Sequence, residues 1–396
     1  MEAQWPSQFL MPCLAWPKGR NPPDQLEVVK TRRVLRYGNT TGACASAAAK
    51  AAVLALLSSP VDRVGVPSPI GIRFEILVKE AKKVTEDTAM ATVVKDAGDD
   101  IDATDKLAIS ATVKLTDDGK VTIRSGEGIG VVTKPGLPVP IGEAAINPMP
   151  RRMIEESVKE ALPSGKGVEV ILNIPEGEKV AAKTLNSKLG IVGGLSVLGT
   201  TGIVKPLSME ACRRSLVPQI DVALSAGFVR VYFVPGNIGE RITRKLFSPP
   251  EDAIVQTGDF VGYMLDKAAE KGVKEILFLG HPGKLAKVAA GIFNTHHKVA
   301  DARNEVIAAH AGAAGADSQL VEKILQSNTT EEAIALLKQA NLSTPVFNRI
   351  AERVSQRIFD RVQQKIKVSV ILVSLEGEVL GADANARGSE PWRKLA

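Results

Sequence analysis

Two stretches decide the fold: VRVYFVPGNIGE at residues 229–240 and EILFLGHPGK at residues 275–284. In each, a continuous run of branched, aliphatic and aromatic residues ends in a glycine turn and passes into a helical pattern. That succession predicts strands of a parallel sheet, covered on both faces, with helices between them. Glycine at such a turn permits close backbone approach to a ligand, and the free N–H groups of the helix start face negative charge. Glycine turns also end many ordinary strands, so one alone decides nothing. Two in neighbouring units favour a ligand at the carboxyl ends of the strands.

Working outward, the run KVSVILVSL (367–375) is expected to rejoin this sheet after several helices between about 300 and 364. Upstream the pattern differs. IRFEILVKE, AMATVVKD, LAISATVKL and KVTIR, between residues 72 and 124, are separated by polar turns such as Asp117-Asp118-Gly119 and predict a mostly antiparallel sheet, to which VEVILNI (168–174) returns. A helix of small residues spans Thr41–Leu57, and a second begins near Pro150 with Met153, Ile154, Val158 and Leu162 on one face. The expected class is therefore α+β followed by α/β in two domains: an N-terminal, mostly antiparallel sheet with helices, and a C-terminal Rossmann-like parallel α/β domain. The boundaries read as an extended tail at 1–30, an α+β domain at 31–185, an α/β ligand-binding domain at 186–385 and a tail at 386–396.

The 396 residues carry a net charge of +6 but only 4% aromatic residues, and the basic residues are spread along the chain. Nucleic-acid binders cluster their cations and interleave stacking rings, so a small polyanion suits this distribution better and no nucleic-acid partner is expected. Cys13, Cys44 and Cys212 lie far apart with no C-x-x-C pair, which speaks against a disulfide framework and a zinc site. No run is long and apolar enough for a membrane span, and the proline-interrupted first twenty residues lack the form of a secretory signal. A cytoplasmic protein with no membrane partner is the expectation.

Further candidate residues follow from local chemistry. GGLSVLGTTGIVKPLS (193–208) sets Thr200 and Thr201 between Gly199 and Gly202, offering backbone donors and two hydroxyls, yet lacks the lysine of a Walker A loop. Arg151 and Arg152 stand at a helix start, where cations cost about 0.3–1 kcal/mol. Either an anionic ligand or Glu155 and Glu156, one turn on, compensates them. Lys284 and Lys287 repeat the arrangement; Leu285, Val288, Ala289 and Ile292 supply the buried face, which leaves the lysines a solvent-side or ligand-side role. All four histidines fall within residues 281–310, without the i, i+4 pair of a metal motif. His281, His296 and His297 are candidates for chemistry, with capping or packing as the alternative. Cys44, in the first turn of a helix, is either an activated thiol or a small packing residue. Asp259 either caps its helix or meets a cationic ligand.

Six motifs in order carry the reading further: GNTTGACASAAAKAA (38–52), GEGIGVVTKPGLPVPIGEAAINPMPR (126–151), GGLSVLGTTGIVKPLS (193–208), VPGNIGE (234–240), TGDFVGYML (257–265) and GHPGKLAKVAAGIFNTHHKVADARNE (280–305). Together they resemble the CbiD family, the cobalt-precorrin-5B C-1-methyltransferases. The resemblance implies transfer of a methyl group from S-adenosylmethionine to a cobalt-containing tetrapyrrole in anaerobic cobalamin biosynthesis. The cobalt then arrives with the substrate, and no protein-bound metal is expected. On this reading Gly199, Thr200, Thr201, Gly202, Gly236, Asn237, Gly239 and Asp259 hold the methyl donor. Thr40, Thr41, Lys134, Arg151, Arg152, His281, Lys284 and Lys287 grip the polyanionic substrate, and His296, His297 or Asp301 manages a proton. A homo-oligomer stays open. Two rival readings are a nicotinamide-dependent reductase of the same pathway, which lacks a convincing G-x-G-x-x-G with its distant acid, and a non-catalytic carrier of corrinoid intermediates.

Overall fold

Alternating burial organises the first half of the chain. The computed structural model describes residues 35–57 and 61–388. Helix α1 (Thr41–Leu57) is buried almost all round, because its alanines, Cys44 and Ser46 are small enough to let backbones approach on every side. It lies between a sheet and a second helix, and the sheet strands are β1 (Glu80–Lys83), β2 (Thr88–Val94), β3 (Ala108–Thr116), β4 (Val121–Ser125) and, after helix α2 (Pro148–Lys159), β5 (Gly167–Asn173). The order is β1-β2-β3-β5-β4, antiparallel except for the β4–β5 pair. Ala89, Ala91 and Val93 of β2, Ile109, Ala111 and Val113 of β3, and Val168, Val170 and Leu172 of β5 point every second residue into one core with α1.

The second half builds a different layer. Strands β6 (Arg230–Val234), β7 (Ile254–Gln256), β8 (Glu275–Gly280), β9 (Lys367–Val373) and β10 (Val379–Ala382) pair in the order β7-β6-β8-β9-β10, with the first four parallel and β10 antiparallel at the edge. Helices α3 (Asn237–Phe247), α4 (Val261–Lys271), α5 (Pro282–Ala289), α6 (Arg303–Ala313), α7 (Ser318–Gln326), α8 (Thr330–Gln339) and α9 (Ser343–Arg361) connect or cover it. All six residues of β8 are buried. Ile276 and Phe278 face the cluster built with α4, α5, α6 and α9, whereas Leu277 and Leu279 face Ile242 of α3. The expected mixture of antiparallel and parallel sheets is thus present, with β8 a central strand covered on both sides.

Chain reversal makes a crevice. Strand β6 is followed in sequence by β7 on one side, while β8 pairs on its other side, so the chain changes direction between β6 and β8. Connections leave those two strands on opposite faces and open a gap at their carboxyl ends. The glycine turns that follow β6 and β8 sit there.

The described chain from Arg36 onward forms one compact unit. Ion pairs join its halves, Lys134 to Asp252 and Lys188 to Glu240. Gly136 has a positive φ of 101° and packs so tightly on the Asp221 carbonyl that a Cβ would lie 2.5 Å from it. None of the helices among the described residues is long and apolar enough to cross a membrane. The expected tail at 1–30 lies outside the described residues, as do 389–396, whereas Ala384–Gly388 is helical.

Candidate functional site

A cavity of about 730 Å³ opens at the carboxyl ends of β6 and β8. From β6 come Pro235, Gly236 and Asn237; from β8 come His281, Gly283 and Lys284. The turns touch each other: a Cβ on Gly280 would stand 2.7 Å from Leu285 and 3.0 Å from Pro235, so only glycine lets both turns close together. Gly236 differs. Its backbone is extended (φ 169°), and a Cβ there would meet no protein atom within 4 Å. The space beside it is open.

His281 fulfils the capping alternative. Its Nδ1 accepts from the Gly283 N–H at 3.1 Å, capping α5, so the neutral ring carries its proton on Nε2 and donates to Glu331 Oε1 at 2.8 Å. Asp259 does not cap α4, whose N-cap is Phe260. Its Oδ1 instead accepts from the Thr295 hydroxyl at 2.8 Å and pairs with the Lys284 ammonium at 3.0 Å. Burial raises the Asp259 carboxyl, but the bonds from Lys284 and Thr295 outweigh it and hold its pKa below the ordinary carboxylate value.

Lys287 corrects the solvent-side alternative. It is 3% exposed, and its ammonium meets the Thr295 carbonyl at 3.2 Å while the residue lines the cavity. An ammonium has three donors and strongly prefers water or a counter-charge. Lys284 and Asp259 neutralise one another, which leaves Lys287 as a buried cation without a carboxylate partner among the described residues. Arg303 also lines the cavity, with its Nε buried, lacking a hydrogen-bond partner and 3.7 Å from Asp301. The local charge favours an anionic group in the ligand.

His296 and His297 line the cavity with rings stacked at 4.4 Å. His296 Nδ1 accepts from the Lys298 N–H at 3.2 Å, which puts the neutral ring's proton on Nε2. Gly239 and Asp259 belong to the same wall, whereas Asp301 does not line it. Among the described residues no group of three or more His, Cys, Asp or Glu side chains is placed to hold a metal ion.

Other expected site residues gather elsewhere. The Gly199–Gly202 loop packs on the start of α1: Thr40 N–H donates to the Gly202 carbonyl at 3.0 Å, and the Thr41 hydroxyl exchanges bonds with the Leu198 backbone at 3.1 and 2.9 Å. A Cβ on Gly199, with φ 135°, would fall 2.4 Å from the Thr40 hydroxyl. Thr200 is exposed, and Thr201 accepts from Ser68 at 2.7 Å. Close packing accounts for this loop within the protein itself. Arg152 pairs with Glu156 at 2.8 Å, the alternative the sequence allowed, and Arg151 has Glu143 at 3.9 Å. Lys134 is tied to Asp252. Cys44 is fully buried, and burial pushes its thiol up to about 12, which removes the activated-thiol alternative.

Family models for CbiD and for the CbiD C-terminal domain match residues 28–206 and 294–384. A relative from Methanocaldococcus jannaschii is 48% identical over 89% of this chain and 97% of its own length. This chain belongs to the CbiD family. A second CbiD relative, from Moorella thermoacetica, is also 48% identical, covering 89% of this chain and 96% of its own; both relatives are named cobalt-precorrin-5B C(1)-methyltransferase. A crystal structure of a cobalamin biosynthesis protein (cbiD) from Archaeoglobus fulgidus is similar at 31% identity, covering 68% of this chain and 84% of that one, with a TM-score of 0.37.

In this CbiD chain the motif reading missed Thr295, Arg303 and Glu331. A signal for Glu331 was present. In NTTEE (328–332) Thr329 caps α8 by accepting from Glu332 N–H at 3.1 Å, and Glu332 returns to Asn328 N–H at 2.9 Å. That spacing marks a helix start and sets Glu331 in its first turn. Its approach to His281, 50 positions away, depends on the fold.

Proposed function

We propose that this chain transfers a methyl group to C-1 of cobalt-precorrin-5B, giving cobalt-precorrin-6A, with S-adenosylmethionine as donor. The observation that carries the reading is 48% identity, over nearly their full length, to relatives named for that reaction. We read the part beyond residue 186 as a Rossmann-like ligand-binding domain, with the 730 Å³ cavity at its switch point.

The lining suits such a donor. A buried lysine and two helix starts answer a carboxylate, Glu331 answers positive charge, and Ile238, Ile242, Val373 and Leu375 offer apolar surface to a base. The open space beside Gly236 leaves room for close approach. When bound, the donor supplies an electrophilic methyl group, whose C–S bond breaks as the new C–C bond forms. The protein residues align and shield. Asn237 and Gly239 position the donor, Lys284 and His281 border the acceptor, and His296 Nε2 manages a proton at the cavity wall. In-line alignment of bound reactants is worth up to ~7–11 kcal/mol, so strong acceleration needs no covalent help from the protein.

The direct test is incubation with methyl-labelled S-adenosylmethionine and the cobalt-containing substrate. Label should appear on the macrocycle. Binding of the tetrapyrrole without transfer would leave a carrier and sink the enzymatic reading.

A further inference from the structure

A second cavity, of about 800 Å³, lies on the other side of the first turn of α3 and shares Asn237 with the first. Its lining comes from the 182–188 segment of the first half of the chain, from α3, and from Glu251 and Gln256. Its chemistry is basic. Lys183, Lys188, Arg241 and Arg244 face Glu240 and Glu251.

These charges divide into two sets. Glu240 accepts from Lys188 at 2.7 Å and from Arg244 at 2.7 Å, and Arg244 also reaches Glu251 at 3.2 Å. Gln256 Nε2 donates to Glu240 at 2.7 Å and to Asn237 Oδ1 at 2.8 Å, fixing the shared residue. That network is internally satisfied. Lys183 and Arg241 are exposed and have no carboxylate partner among the described residues; Arg241 touches only the Leu375 carbonyl, at 3.4 Å. Two exposed cations thus line the cavity beside a network whose charges are already paired.

Size supplies the second line of argument. Pockets for one small-molecule ligand typically measure roughly 300–1,000 Å³, and the first cavity, at about 730 Å³, has the size of one such site. The neighbouring cavity provides further space for a larger acceptor, and Asn237 lines both.

We infer that the second cavity is the subsite for the carboxylate side chains on one edge of the tetrapyrrole, which lies over Asn237, and that Lys183 and Arg241 are its recognition residues. The inference rests on the proposed function for the identity of the acceptor. It assigns specificity to residues that the motif reading did not single out. Arg241 offers a planar, two-pronged donor to a carboxylate and Lys183 a point charge.

The test uses the full chain and two probes, a cobalt corrinoid with free carboxylic acids and its methyl ester, titrated by the change in corrin absorbance. The Lys183→Glu/Arg241→Glu double variant should bind the acid at least about tenfold more weakly, bind the ester as the wild type does, and keep its affinity for S-adenosylmethionine. The Lys183→Ala/Arg241→Ala pair should show the same pattern at smaller size, and both variants should keep the wild-type melting temperature because both side chains are exposed. Unchanged binding of the acid, or equal weakening of acid and ester, would overturn the inference. Label transfer by the wild type decides the methyltransferase reading separately. If the wild type transfers and the variants bind the acid normally, only the subsite fails; if the wild type transfers nothing, the acid and ester titrations still decide what the second cavity recognises.

Discussion

The buried ammonium of Lys287 rests on the Thr295 carbonyl at 3.2 Å, and Thr295 in turn donates its hydroxyl to Asp259 at 2.8 Å. A lysine from α5 is thereby held against the connection that follows its own helix, at the wall of the main cavity. Replacing a buried charge by an apolar side chain of similar volume is often neutral or stabilising, because the desolvation cost disappears. Lys287→Met should keep or raise the melting temperature and lower methyl transfer at least about tenfold, equivalent to ~1.4 kcal/mol. Calorimetric melting and a label-transfer assay on one preparation check both halves; a stable variant with full activity would remove Lys287 from the site.

Gly236 gives a cleaner separation of stability from binding. Its extended backbone suits any residue, and a Cβ meets nothing within 4 Å. Gly236→Leu should fold with an unchanged melting temperature and lose S-adenosylmethionine affinity by about tenfold or more, read by isothermal calorimetry. Normal donor affinity in the folded variant would move the donor elsewhere.

Glu160 governs a pH effect. Its carboxylate joins Lys50 of α1 and Arg73 at 2.6 Å each, and these partners, Arg73 first, lower its pKa from 4.5 to about 2 against the opposing effect of burial. A carboxylate depressed in the folded state contributes stability that is present above the unfolded pKa and lost as pH falls through the folded one. Glu160→Gln should therefore lower stability at pH 7 by about 1 kcal/mol, modest because Glu160 is one-third exposed, Arg73 is more than half exposed and solvent screens both, and the difference should fade between pH 4.5 and about 2. Urea unfolding across that window measures it.

Ala48 tests the packing of α1. It is fully buried in a helix lying between β2, β3 and α2. Ala48→Leu forces extra volume into a closed layer and should cost about 1–3 kcal/mol, seen as a lower urea midpoint at unchanged slope. A midpoint equal to the wild type would mean that the layer has slack.

The residues themselves specified much of the architecture. The alanine run 41–57 could bury only as a helix in close quarters, and the apolar run of β8 could serve only as a strand covered on both faces. Family membership was equally legible, since six motifs in order define it without reference to contacts. The glycine turns after β6 and β8 also marked the carboxyl edge of the sheet, where the main cavity opens.

What sequence left open is which motifs share a space. Gly199–Gly202 is a glycine turn as the 236–239 turn is, yet with Thr40 and Thr41 it packs the start of α1, whereas the 236–239 turn opens onto a cavity. Lys284 and Lys287 lie three residues apart in an identical pattern, but Asp259 comes from a distant loop to neutralise one while the other stays a buried cation. Lys183 and Arg241 meet only because the two halves fold onto each other around α3. Periodicity and turn chemistry act over a few residues and are written locally, so the sequence determined the elements and the family. Neutralisation, burial and the joining of cavities depend on chain distant in sequence and close in space, and those the tertiary structure alone decided.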